Sequence, residues 1–321
     1  MELYNLKKDK LEEVSLIPFK LEKDIQALVE KNTESIFELE FIESEFRVEK
    51  YRIDSLCFDP ENNSFVIVEY KKGSSYSVVD QGMTYLQLML NNKADFLLRL
   101  SQHKGKVLEM KDIDWSQSKI IFVAESFNSY QKDSVNFKDL PFEIWEIKKF
   151  SNDAIVFNRH KSNSKESISS LSDPKTQTAL SKISSEVKVY SEEDLISKSD
   201  EFILNKWDLL KELINDLADT ELVYKKKYIN LRLSYKAVAY FRFRKQSIRM
   251  HIVRGTKNKV GSKSKSYFDI DDPKKIALEY TKRWGQHPLG GTDEYRVSIL
   301  KDTDIDYLMF LIKQKYKNLR Q

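Results

Sequence analysis

Between residues 41 and 72 three runs rich in Ile, Val and Phe follow one another: FIESEFRV, RIDSLCFD and SFVIVEYKK. Only Lys50 with its neighbours and the turn signal DPENNS divide them, so they read as a meander of three β-strands. The third run breaks the pattern of a buried strand, because the apolar VIV runs straight into Glu69, Tyr70, Lys71 and Lys72. Side chains on a strand alternate between faces, so Glu69 and Lys71 point the same way. A carboxylate and an ammonium thus stand side by side at the end of what reads as a central strand.

The segments around the meander complete a unit. Leu21 to Phe37 carries Leu21, Ile25, Leu28, Val29, Ile36 and Phe37 at helical spacing, and Asp80 to Leu100 does the same through Met83, Leu86, Leu90 and Phe96. KIIFVAES and PFEIWEIKKF then read as strands, which gives the order α-β-β-β-α-β with a further strand. Past Phe157 the composition turns to Ser, Lys and Asn, as a linker does. Beyond it DEFILNKWDLLKELINDLA reads as an amphipathic helix, and KKYINLRLSYKAVAYFRFRKQSIRMHIVR as two or three strands. DDPKKIALEYTKR opens like a helix, with Asp at the N-cap and Pro in the first turn; EYRVSIL is a last strand and DIDYLMFLIKQKYKN a last helix. The expected fold class is α/β (α+β), with a first domain over residues 1–157, a Ser/Lys-rich linker over 158–199 and a basic α+β domain over 200–321.

A chain of 321 residues that is 40% hydrophobic and 12% aromatic holds apolar material for about two cores. One cysteine, Cys57, excludes an intramolecular disulfide, and with four histidines it excludes the common Cys/His zinc spacings. The N-terminal MELYNLKKDKLEEV has no apolar core of leader length, and no run approaches the roughly 18 apolar residues of a membrane span. The expectation is a soluble, cytoplasmic protein with no membrane partner.

If the second and third strands of the meander pair as antiparallel neighbours, Asp54 comes beside Glu69, because adjacent strands lie about 4.8 Å apart. Two carboxylates that close repel unless a cation lies between them. A hard divalent ion, Mg²⁺ in particular, binds through one or two carboxylates and keeps waters for chemistry. Lys71 on the same face would hold or help deprotonate one of those waters. Acid, acid and lysine together describe metal-assisted phosphodiester hydrolysis. Glu69 and Lys71 taken alone also read as an exposed pair at a strand end, worth under about 1 kcal/mol. Lys72 reads equally as a solvated residue or a phosphate contact.

Asp54, followed fifteen residues on by Glu69-Tyr70-Lys71 and then by a helix, resembles the PD-(D/E)XK nuclease superfamily. Here R-I-D stands in place of P-D. The helix after it carries Q-G-M-T-Y, similar to the Q-x-x-x-Y motif of the branch with RecB-type nucleases and archaeal resolvases, and E-K-D-I-Q resembles a helix start of the archaeal endonucleases that cut mismatched or branched DNA. The resemblance covers about residues 20 to 125. It implies a restriction-endonuclease-like core and a deoxyribonuclease using Mg²⁺ or Mn²⁺, an endonuclease more than an exonuclease. By the same resemblance Asp54, Glu69, the Tyr70 backbone carbonyl and Glu22 would hold metal. Lys71, Gln81 and Tyr85 would complete the catalytic set, and Glu30 competes with Glu22. The implied partner is DNA, single-stranded or branched, bound by a chain that such nucleases often pair into a homodimer.

From Lys225 to Tyr267 fourteen Lys or Arg occur and no acid, with tyrosines and phenylalanines interleaved. Arg242, Arg244, Lys245 and Arg249 are the candidate nucleic-acid contacts of this run. The competing reading is a plain amphipathic sheet, aromatics inward and basic residues outward. GTKNKVGSKSKS reads as a mobile basic loop, and Arg283, Trp284, His287 and Gly290-Gly291 as a glycine-bearing turn on a packed Trp. YSEEDLISKSDE, DDPKKIALEY, RWGQHPLGGTDEYRVSI and DIDYLMFLIKQKY together resemble a domain of unknown function found behind nuclease-like domains in bacterial proteins called predicted transport proteins. Two further readings remain: a nucleic-acid binder that does not cut, and a protein-interaction module.

Overall fold

The computed structural model describes residues 2–72, 77–137, 140–160, 186–234, 236–256, 267–282 and 292–320. Most of the expected linker, the basic run after Thr256 and the segment holding Arg283, Trp284, His287 and Gly290-Gly291 lie outside the described residues. The chain divides into two compact units, Met1–Val189 and Tyr190–Gln321. No helix among the described residues is long and apolar enough to cross a membrane.

The first unit opens with a hairpin of β1 (Leu3–Lys7) and β2 (Lys10–Val14). Its two-residue loop, Lys8 and Asp9, takes positive φ at both positions, as the right-handed twist of a tight hairpin requires. A short β3 (Leu16–Ile17) leads to α1 (Glu22–Glu30) and α2 (Thr33–Phe37). The single helix expected over 21–37 is thus two, parted at Lys31 and Asn32. Next come β4 (Glu40–Val48), β5 (Tyr51–Asp59) and β6 (Ser64–Lys71), an antiparallel meander as the short connections demand.

α3 (Val78–Asn91) and α4 (Lys93–Lys104) follow, the expected single helix being broken at Asn92, which leaves the helical region. They carry the chain over the sheet to β7 (Lys119–Ala124), which lies parallel to β6. A parallel neighbour can be reached only by such a crossover, and that is why the first turn of α3 stands over the C-terminal end of β6. After α5 (Ser129–Ser134), β8 (Phe142–Phe150) adds parallel to β7 and β9 (Ile155–His160) antiparallel to β8. The order is β3-β8-β7-β6-β5-β4. All eight residues of β6 are buried, as befits a central strand covered on both faces. Phe65 and Ile67 face a core with Leu86, Met89, Phe96 and Leu100 of α3 and α4.

In the second unit α6 (Glu192–Ile196) and α7 (Glu201–Asn215) precede a six-stranded antiparallel sheet. Its strands are β10 (Thr220–Lys225), β11 (Tyr228–Leu233), β12 (Lys236–Arg244), β13 (Ser247–Thr256), β14 (Leu278–Lys282) and β15 (Thr292–Ile299), in the order β10-β11-β12-β13-β15-β14. α8 (Ile305–Arg320) closes the chain. Trp207 of α7 packs its ring 5.0 Å from Phe241 and 5.2 Å from Phe243, in one core with Ile229, Met250, Val297 and Leu311.

One expected element is overturned: residues 271–282, the described part of DDPKKIALEYTKR, form no helix. Asp272 accepts the Ala277 N–H through Oδ2 at 2.7 Å and the Tyr307 hydroxyl through Oδ1 at 2.6 Å, and Lys275 takes a positive φ. The Asp-Pro pair therefore builds a turn, and Leu278–Lys282 pairs as an edge strand with β15.

Candidate functional site

The pocket lies where β5 and β6 part. Their ladder ends at the pair Ser55↔Val68, one position before Asp54 and Glu69 would face each other. Beyond it Asp54 Oδ2 takes the Tyr70 N–H at 3.0 Å, a side-chain acceptor in place of a backbone one. Alternation puts Asp54, Glu69 and Lys71 on the face that α3 covers, and Ser55, Val68 and Tyr70 on the face that α1 covers. The Tyr70 ring accordingly points away from the pocket, its hydroxyl 3.1 Å from Ser55 Oγ. Only the backbone of Tyr70 belongs to the pocket.

Glu69 and Lys71 are both buried rather than an exposed pair, with Lys71 Nζ donating to Glu69 Oε1 at 2.7 Å. Gln81, in the first turn of α3, donates to the same oxygen at 2.6 Å and to the Tyr85 hydroxyl at 3.1 Å. That turn is held by Ser77, whose Oγ accepts the Asp80 N–H at 3.2 Å. Tyr85, one turn on, donates to the Arg52 carbonyl at 3.4 Å and so ties α3 to β5. The second oxygen of Glu69, Oε2, is buried with no hydrogen-bond partner. A charged oxygen in that state is costly unless something absent from a bare chain meets it.

Burial and the neighbouring Glu69 charge push the Asp54 carboxyl up to about 7, against the lowering effect of the Tyr70 N–H and Lys71. Glu22 adds to that rise from the rim, where its Oε2 accepts the Lys72 N–H at 2.9 Å. The Lys72 ammonium is engaged by the Lys20 carbonyl and the side chain is exposed. Glu30, the competitor of Glu22, lies on the other face of the sheet: its Oε1 accepts from Ser55 Oγ at 2.6 Å and from Gln26 Nε2 at 2.9 Å. The spacing of eight residues along α1 therefore does not bring both acids to one pocket.

Gln26 was not among the expected site residues. Buried under β5, it donates to the Asp54 carbonyl at 3.0 Å and to Ser44 Oγ at 3.1 Å, which fixes the backbone that carries Asp54. The signal was a glutamine on the apolar stripe of α1, next to Ile25 and one turn before Val29. Cys57 is fully buried, and burial raises its thiol pKa, the opposite of what a nucleophile needs.

Among the described residues no three carboxylate, imidazole or thiolate side chains gather around one point. The donors at hand are two carboxylates and a backbone carbonyl, a set that suits Mg²⁺, which is held through one or two carboxylates and keeps water in its remaining positions. Glu69 Oε2 and the raised Asp54 fit such an ion, since the one is a buried oxygen with no hydrogen-bond partner and the other is pushed up by burial and the adjacent carboxylate despite Lys71.

In the second unit Arg242, Arg244 and Lys245 are exposed around the β12–β13 turn, and Arg249 is half-buried directly across from Arg242. Phe241 lies in the core as an amphipathic sheet demands, whereas Tyr228 and Tyr240 stand together, 5.1 Å between rings, on the face of Arg242.

Over its whole length the chain is similar to a Haemophilus influenzae protein described as uncharacterized. The two are 38% identical over 322 positions, covering 99% of this chain and 100% of the relative. No protein-family model matches the chain, and no solved structure matches it.

Proposed function

The chain belongs to the same family as that Haemophilus influenzae protein, and from its N-terminal pocket we propose a metal-dependent nuclease that hydrolyses DNA phosphodiester bonds at internal positions. One observation carries the reading: Glu69 has one oxygen fixed by Lys71 and Gln81 and the other buried without a hydrogen-bond partner, beside an Asp54 carboxyl that burial and the Glu69 charge push up.

Asp54, Glu69 and the Tyr70 carbonyl, with Glu22 at the rim, would hold Mg²⁺ or Mn²⁺, which when bound polarises a phosphoryl oxygen. Lys71, held by Glu69 at 2.7 Å, orients the attacking water and balances the charge that grows on the phosphoryl oxygens. Gln81 keeps Glu69 turned toward Lys71, and Tyr85 keeps Gln81 in place. Gln26 holds the Asp54 carbonyl from behind the sheet, so the acid is fixed from two sides.

The test is cleavage of single-stranded, branched and duplex DNA with Mg²⁺ or Mn²⁺ against the same reaction in EDTA. Wild type is expected to cut only with metal, and Lys71→Ala to lose about 10²- to 10⁴-fold in rate, the range of a positioned acid–base group. A wild type inert on all three substrates with either metal would defeat the reading, and a metal-free rate equal to the metal-containing one would defeat it equally.

A further inference from the structure

On the second unit, α7 and α8 pack against the sheet face that carries Ile229, Phe241, Met250 and Val297. The opposite face is of another character. Arg242 and Arg249 are direct partners across β12 and β13, Tyr240 faces His251, and His251 faces Arg296 of β15. Like charges opposite one another on one face of a sheet are destabilising. Arg244 and Arg296 add to the repulsion, and with burial their charges lower the Arg249 pKa.

No carboxylate among the described residues pairs with Arg242, Arg244, Arg249 or Arg296. Arg242 lies instead over the Tyr228 ring at 5.6 Å and Arg296 over the Tyr280 ring at 3.7 Å. Glu294, an acid on this face beside Arg296, is already held by His251 Nδ1 at 2.8 Å in a buried pair, and His251 Nε2 is buried with no partner. Four guanidinium groups from three strands therefore share one surface with no counter-charge of their own, beside tyrosines of which Tyr280 is 40% exposed. A ligand that supplies negative charges in series and flat apolar rings between them matches that surface.

We infer that this face binds single-stranded nucleic acid, with backbone phosphates on Arg242, Arg244, Arg249 and Arg296 and an unpaired base stacked on the exposed side of Tyr280. A duplex offers the phosphates and hides the base faces, so the tyrosine separates the two ligands. The inference does not rest on the N-terminal pocket: it concerns affinity in the absence of metal, and neither proposal falls with the other.

The test is fluorescence anisotropy of the full chain in EDTA, with labelled single-stranded DNA, single-stranded RNA and duplex DNA of one sequence, over a salt series. Single strands are expected to bind more tightly than duplex, and the DNA and RNA arms to tell which sugar the face prefers. Replacing Arg242→Gln and Arg249→Gln together should flatten the slope of log affinity against log salt by about 1.4, from roughly 0.7 per neutralised phosphate on a single strand. Arg242→Lys with Arg249→Lys should keep most of that slope. Arg244→Gln, at the exposed last position of β12, gives a second reading at a side chain that is not buried in the sheet. Tyr280→Ala should weaken single strands about tenfold at unchanged slope and leave duplex alone. Full-affinity binding by the double Gln variant and by Arg244→Gln, at wild-type melting temperature, overturns the inference; so does duplex binding as tight as single-strand binding, or the absence of binding at low salt.

Discussion

At Asp54 the physics of the pocket becomes measurable as a pH dependence. Its folded pKa of about 7 stands above the ordinary 3.8, so between these values the folded chain keeps a proton that the unfolded chain has lost. Stability from this group is full below about pH 4 and is lost as pH rises toward 7, a change on the order of a few kcal/mol. In EDTA the melting temperature of wild type is expected to fall over that window, and Asp54→Asn to lose the fall; a wild-type profile as flat as that of the Asn variant would contradict the assignment. With Mg²⁺ at pH 8 wild type should regain melting temperature and Asp54→Asn should not. Gln81 is the other residue with a sharp expectation. It touches Glu69 and Tyr85 but not the reacting atoms, so Gln81→Ala should cost about 10- to 100-fold in metal affinity, read by Mn²⁺ titration. That Asp54, Glu69 and Lys71 share one face was legible in the sequence because a short hairpin fixes register and register fixes the face. Gln26, Ser55 and the orphaned Glu69 Oε2 were not, since those contacts arise from how α1 and α3 lie against the sheet.

Between elements, α3 approaches β8 closely at Gly82. A Cβ on Gly82 would meet the Phe142 ring at 2.5 Å, so glycine lets the helix lie down on the strand one residue after Gln81. Gly82→Ala gains about 1 kcal/mol of helix propensity and incurs about 1–3 kcal/mol of overpacking. The net cost of up to about 2 kcal/mol should lower the melting temperature by up to several degrees, and cleavage should fall with it because Gln81 moves with the helix. Adding Phe142→Leu should restore part of both; if the double variant is no better than the single one, this contact is not what the glycine serves. At this scale the meander, the crossover helices and α7, α8 and β15 were readable from period and turn residues. The boundaries at Asn32 and Asn92 were not, and DDPKK misled because Asp-Pro serves a turn as well as a helix start. What decided was remote: Tyr307 of α8 holds Asp272, and β15 offers Leu278–Lys282 an edge. The β1–β2 hairpin escaped because its residues are mostly exposed and carry little apolar pattern.

Among the described residues the two cores share no residue: one gathers around Phe65, Phe96 and Phe122, the other around Trp207, Phe241 and Leu311. A unit with its own core and the size of an ordinary domain has what it needs to unfold as one cooperative step. Tyr190–Gln321 expressed alone is therefore expected to show a single sigmoidal melt by circular dichroism. It should also bind single-stranded oligonucleotide with the salt slope of the full chain, because all four arginines of the basic face lie within it. Met1–Val189 alone should keep metal-dependent cleavage, since every residue of the pocket precedes its boundary, but with a higher KM if the basic face supplies substrate affinity to the full chain. Cleavage by Met1–Val189 at the KM of the full chain would mean that the face serves a different ligand from the one the pocket cuts. A fragment 190–321 that melts without cooperativity would mean that the second core needs residues from before the boundary.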